Sequence, residues 1–201
     1  MTAPDNQLKT IGIFLFDDME ELDAIGPWEV FAWWVNHYPE DGWTATTFSL
    51  DGEVITCEKS LRVLPHTSAT EVGPLDVLLH PGGDGCYRLM DDGAHIAWLQ
   101  GQAQTVPLVA SVCTGSLVLA KAGLLAGRPA TSNHGALDEL AALDATIRVD
   151  RDERFVDDGA VITSAGISAG IDMALHIVSR LVGSQRTEDV CAGIEYNPGG
   201  R

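Results

Sequence analysis

Short, nearly unbroken apolar runs constrain this chain more than anything else in it: TIGIFLF at 10–16, LDVLLH at 75–80, PLVASV at 107–112 and VIT at 161–163. A strand with one wet face alternates apolar and polar residues, whereas a strand buried on both faces does not. These runs therefore predict strands covered above and below, with the first at the centre of the sheet. The covering layers are legible between them. Leu22, Ile25, Trp28, Phe31 and Val35 recur at helical spacing, with Pro27 suited to a first turn and Pro39 closing the segment. Helical patterns follow at 94–103, 117–125, 136–143, 168–182 and 187–196. Strands alternating with helices require right-handed crossovers and a mostly parallel sheet. The predicted fold is α/β, a flavodoxin-like three-layer sandwich.

Shorter Thr-, Val- and Leu-rich segments at 44–50, 54–57 and 61–64 read as meander strands beside the main sheet, separated by turn residues. Further short or edge strands are expected at 129–132, 146–149 and 155–156. No internal repeat or long linker interrupts the pattern, and 201 residues suit one domain with one core. A single domain over 1–201 is the expectation.

The formal net charge of −17, from 29 acidic against 12 basic residues, opposes binding to phosphate backbones or anionic lipid and favours solubility. Nucleic acid and membrane are accordingly excluded as expected partners. No signal-like N-terminus and no apolar run of ~18 residues is present, which reads as cytoplasmic. Cys57, Cys86, Cys113 and Cys191 are widely spaced, with no C-x-x-C pair, so reduced thiols are expected and no metal site is suggested.

The chemistry concentrates where the third apolar run ends. Ser111-Val112-Cys113-Thr114-Gly115 places a nucleophile between small residues at a strand-to-helix junction, the pattern of a sharp turn that lifts one side chain above the sheet. The helix that follows aims its N-terminus at Cys113, which predicts a lowered thiol pKa and a reactive sulfur. The opposing reading is a small buried core residue. A second loop, Pro81-Gly82-Gly83-Asp84-Gly85, ends another buried strand. Gly82, Gly83 and the backbone of Thr114 are the candidate oxyanion or substrate-binding donors. His80, at that strand's end, and His134 are candidate pocket residues. Asp17, Asp18, Glu20 and Glu21 read as decoration of a solvated loop.

Four segments together resemble the DJ-1/PfpI superfamily: ELDAIGPWEVF at 21–31, the PGG loop at 81–83, ASVCTGSLVLAKAGLLAGRPAT at 110–131 and TSAGISAGIDMAL at 163–175. More narrowly they are similar to the branch containing isocyanide hydratase and the sensor domains of certain transcription regulators. In that branch threonine follows the cysteine, as Thr114 does here, and an aspartate matching Asp23 sits beside the thiol. On its own, Asp23 reads either as an acid–base partner of a cysteine or as an acid in a helix's first turn. Protease-like members carry histidine after the nucleophile, so that Cys-His dyad is missing. The branch commonly has a His-Trp pair where this chain reads Ser132-Asn133-His134, one position out of step.

The resemblance implies a homodimer and a cofactor-independent hydratase acting on a small molecule through Cys113 and Asp23, by analogy an isocyanide giving an N-substituted formamide. A thiol-based ligand or oxidant sensor and a cysteine amidase are the alternatives.

Overall fold

A computed structural model describes residues 8–198. Among them one seven-stranded sheet is built from β1 (Lys9–Phe14), β2 (Trp43–Ser49), β5 (Thr67–Ser68), β6 (Val77–His80), β7 (Leu108–Val112), β10 (Phe155–Asp157) and β11 (Val161–Ser164), in the order β10-β11-β7-β6-β1-β2-β5. All pairs are parallel except β10 with β11. Every residue of β6, β7 and β11 is buried, which is why these strands show as continuous apolar runs.

Helices α1 (Glu21–His37), α6 (Ala169–Val182) and α7 (Ser184–Gly193) pack together in one layer. Helices α2 (Gly85–Asp91), α3 (Gly93–Thr105), α4 (Gly115–Lys121) and α5 (Leu137–Leu143) pack together in the other. The three-layer α/β sandwich is thus the observed architecture. Two small ribbons lie outside the sheet: antiparallel β3 (Ile55–Thr56) with β4 (Arg62–Val63), and parallel β8 (Pro129–Ala130) with β9 (Arg148–Val149).

Several expectations are corrected. The central strand is β6, with β1 its neighbour. The segment at 44–50 is no meander strand: β2 pairs along its whole length with β1 inside the main sheet. Its Thr44, Ala45 and Thr46 are only half-buried, because the edge strand β5 covers just Phe48 and Ser49. Pro27 lies inside α1, which starts at Glu21, so the carbonyl of Asp23 lacks its helical donor. Helix α2 begins directly out of the Gly-rich loop and carried no sequence signal.

From β1 the chain moves outward to β2, then returns to β6 on the opposite side of β1 and continues to β7 and β11. This reversal opens a crevice beyond the carboxyl ends of β1 and β6, the place where open α/β sheets bind ligands. The loops after β1, β6, β7 and β11 all emerge at that edge.

Candidate functional site

Cys113 immediately follows β7 and adopts φ 57°, the left-handed region that a non-glycine residue occupies only when its surroundings enforce it. The enforcement is explicit. Its N–H donates to the carbonyls of Ser164 (3.1 Å) and Ala165 (3.3 Å) at the end of β11. Its carbonyl accepts the hydroxyls of Ser116 and Ser132, both at 3.0 Å. Gly115 lets the turn close against the β6 loop, since a Cβ there would stand 2.5 Å from the His80 carbonyl oxygen and 2.7 Å from that of Pro81. The small residue two places after the cysteine is a packing requirement.

Asp23, in the first turn of α1, is fully buried. Its two oxygens are held by backbone amides from different loops: Gly82 N–H donates to Oδ2 at 2.9 Å and Ile167 N–H to Oδ1 at 3.1 Å. The Cys113 side chain lies beside this carboxyl and favours its charged form. Gly82 sits between the two, for a Cβ on it would come within 2.7 Å of Cys113 Cβ and 2.8 Å of Asp23 Oδ2. Burial, reinforced by the nearby Glu20 carboxylate, raises the Asp23 pKa to about 7 against the pull of the two amides.

The thiol behaves opposite to expectation. Cys113 is only 7% exposed, and burial followed by the Asp23 charge pushes its pKa up to about 12. The neighbouring Thr114 N–H and Asn133 side chain favour the charged sulfur and pull the other way, but desolvation outweighs them. A seven-residue helix whose start is buried cannot ionise a sulfur standing next to a carboxyl group. The resting pair therefore holds its proton on sulfur, with the carboxyl near its midpoint at neutral pH.

The glycine amides also differ from expectation. Gly82 N–H is committed to Asp23, and Gly83 N–H donates to Thr114 Oγ at 2.8 Å, which in turn donates to the Gly83 carbonyl at 3.2 Å. These bonds lock the β6 loop onto the elbow and leave the Thr114 N–H as the amide facing the sulfur.

Cys113 and Thr114 line a cavity of about 210 Å³ together with Glu20, Glu58, Asn133 and Ile167, and with Gly83, Asp84 and Tyr87 at its rim. Neither candidate histidine is there. His80 is a core residue, its Nδ1 2.7 Å from the Pro81 carbonyl and its Nε2 3.2 Å from His95 Nε2. His134 is exposed and lies outside the cysteine cavity, lining a neighbouring groove; Asn133, one residue earlier, occupies the pocket position. Glu20, read as loop decoration, is buried against the cavity. Cys86 is buried as well, its Sγ 3.7 Å from the Pro81 carbonyl. Asn133 could have been found from the one-position offset beside His134. Glu58 and Tyr87 carried no sequence signal.

A sulfur carried by a left-handed residue over the carboxyl edge of a parallel sheet defines a class, the α/β proteins built around a cysteine elbow. Within it the chain belongs to the DJ-1/PfpI family, whose model matches residues 9–180. Isonitrile hydratase of Pseudomonas putida is 37% identical over 188 residues, covering 94% of this chain and 78% of that protein. Protein dj-1beta of Drosophila melanogaster is 32% identical across 73% of this chain and 79% of its own length. Among solved structures, a THiJ/PfpI family protein from Pseudomonas syringae superposes with a TM-score of 0.84 at 27% identity, covering 98% of this chain and 81% of that one. Drosophila DJ-1beta gives 0.82 at 27% identity, covering 94% and 99%. No helix among the described residues is long and apolar enough to cross a membrane.

Proposed function

We propose that this protein is a cysteine-dependent, cofactor-independent hydratase that adds water to an isocyanide to give an N-substituted formamide. The carrying observation is a fully buried carboxyl group, Asp23, fixed by two backbone amides and set beside Cys113, across Gly82, behind the wall of a small cavity. The 37% identity to an isonitrile hydratase over 94% of the chain supports the substrate class.

The reaction needs one soft nucleophile and one group that takes and returns a proton. Asp23 in its carboxylate form accepts the Cys113 proton as sulfur attacks the terminal isocyanide carbon, then delivers that proton to the same carbon. This yields a thioimidate on Cys113. Because the thiol pKa lies far above that of the carboxyl, no free thiolate accumulates and proton transfer accompanies attack. Water, deprotonated by Asp23, adds to the thioimidate carbon as the nitrogen is protonated. The C–S bond then breaks, sulfur recovers its proton, and formamide leaves.

An oxidant sensor calls for a stabilised thiolate open to solvent, and burial beside a carboxyl group supplies neither. By family resemblance the proposal extends to a homodimer, which sedimentation equilibrium tests. The chemistry is tested by incubating the wild type and Cys113→Ala with a panel of isocyanides and following N-formamide by mass spectrometry. Formation by the wild type and its loss in the variant support the proposal. Equal turnover in both ends it.

A further inference from the structure

The walls above the sulfur are charged unequally. Three carboxylates, Glu20, Glu58 and Asp84, line the cavity over Cys113, and no cationic side chain among the described residues does. A counter-charge comes from Lys59 on the β3–β4 turn. Its ammonium binds the buried Glu20 carboxylate, contacts Glu21 at 3.5 Å and Glu58 at 3.8 Å, and is itself mostly exposed. One lysine therefore serves three acids. Glu58 is further anchored by accepting the Asp84 N–H at 2.5 Å, which holds the two acidic residues together at the rim.

Two further features agree. The Glu58 pKa is raised, by desolvation first and then by the charges of Asp84 and Glu20, so the group already feels a negative surround. Tyr87 and Ile167, both large and apolar yet exposed, line the same cavity. An apolar mouth with an acidic wall favours an apolar body and disfavours an anionic substituent.

We infer that the cavity selects by charge: it admits neutral and cationic small electrophiles to Cys113 and turns away those bearing a carboxylate. The inference rests on the reading of Cys113 as the reacting group, while its test does not require isocyanide hydration. Iodoacetamide and iodoacetate are nearly the same size and differ by one charge. Each alkylates a thiol by forming a C–S bond as iodide departs, the thiol proton passing to Asp23 and then to solvent.

Rates of alkylation at Cys113 in the whole protein, resolved by peptide mass mapping, are compared with those of N-acetylcysteine. The preference for iodoacetamide should exceed that of the small thiol by at least about tenfold. It should shrink by about threefold or more in Glu58→Gln, which keeps the acceptor and loses the charge, and on raising salt from about 20 mM to about 500 mM. A preference equal to that of N-acetylcysteine, or one unmoved by both salt and Glu58→Gln, overturns charge selection. Failure of both reagents, the neutral one included, to modify Cys113 overturns the premise. Charge selection without turnover of any isocyanide removes the hydratase reading and leaves the selectivity standing.

Discussion

Two buried titratable neighbourhoods meet at the β6 loop, and they behave differently. On one side Cys113 lines a cavity, with strained backbone under the sulfur and the fully buried Asp23 carboxyl behind it. On the other, His80 and His95 bond to each other within a shell of Phe14, Phe16 and Trp98. All four groups have displaced pKa values. Burial, then the neighbouring ring, holds His80 down to about 3, and burial holds His95 down to about 4. Displaced titration therefore does not by itself mark a candidate site, and neither does a cavity, since His95 lines one as well; the strained backbone under the sulfur is what sets the cysteine apart.

The largest effect that could break this comparison is in the cysteine pair. Asp23→Asn should lower kcat/KM for isocyanide hydration by ~10²–10⁴-fold, the usual range for losing a general acid–base group. The same change removes the negative charge beside the sulfur, so the thiolate absorbance of Cys113 should titrate at lower pH than in the wild type. A variant with undiminished turnover would place the proton-transfer group elsewhere.

The pH dependence sharpens the contrast, because the two regions pull stability in opposite directions. Asp23 has its folded pKa raised from 3.8 to about 7, so between those values the native state binds the extra proton and stability falls as pH rises. The histidines have folded values depressed from 6.5 to about 3 and about 4, so their contribution is complete above pH 6.5 and is lost as pH falls through that window. Each group contributes a slope of about 1.4 kcal/mol per pH unit while only one state is protonated. His95→Phe should flatten the acid limb of a denaturation series run from pH 7 to pH 4, and an unchanged limb would count against a neutral buried ring. Its kcat/KM should stay within about threefold of wild type, at a stability cost of about 1–3 kcal/mol for the orphaned His80 nitrogen.

A smaller effect concerns Glu20. If the carboxylate form of Asp23 starts the reaction, kcat/KM should rise with pH through about 7. Glu20→Gln removes a charge that raises the Asp23 pKa, so this limb should move to lower pH. A limb that stays in place would show that burial alone sets it.

The fold was legible where burial was complete. β6, β7 and β11 are covered on both faces and appear as nearly unbroken apolar runs. β2 was assigned to the wrong place because its half-buried threonines look like those of any short strand, and pairing with β1 is a long-range fact. Cys113 and Asp23 were legible from local spacing and family resemblance, and Pro27 misled because proline suits a helix start better than a helix interior.

What the amino-acid order determined by itself is the alternation of strands and helices, and the turn that must carry Cys113, because both follow from residues near one another in the chain. Tertiary structure alone decided the state of the sulfur. Desolvation and the charge of a carboxyl group from a different loop outweigh the adjacent helix start, and both depend on segments that only folding brings together. The same holds for the acidic wall, assembled from the loops after β1, β3 and β6. Local sequence sets backbone geometry, whereas dielectric and field are sums over everything packed nearby.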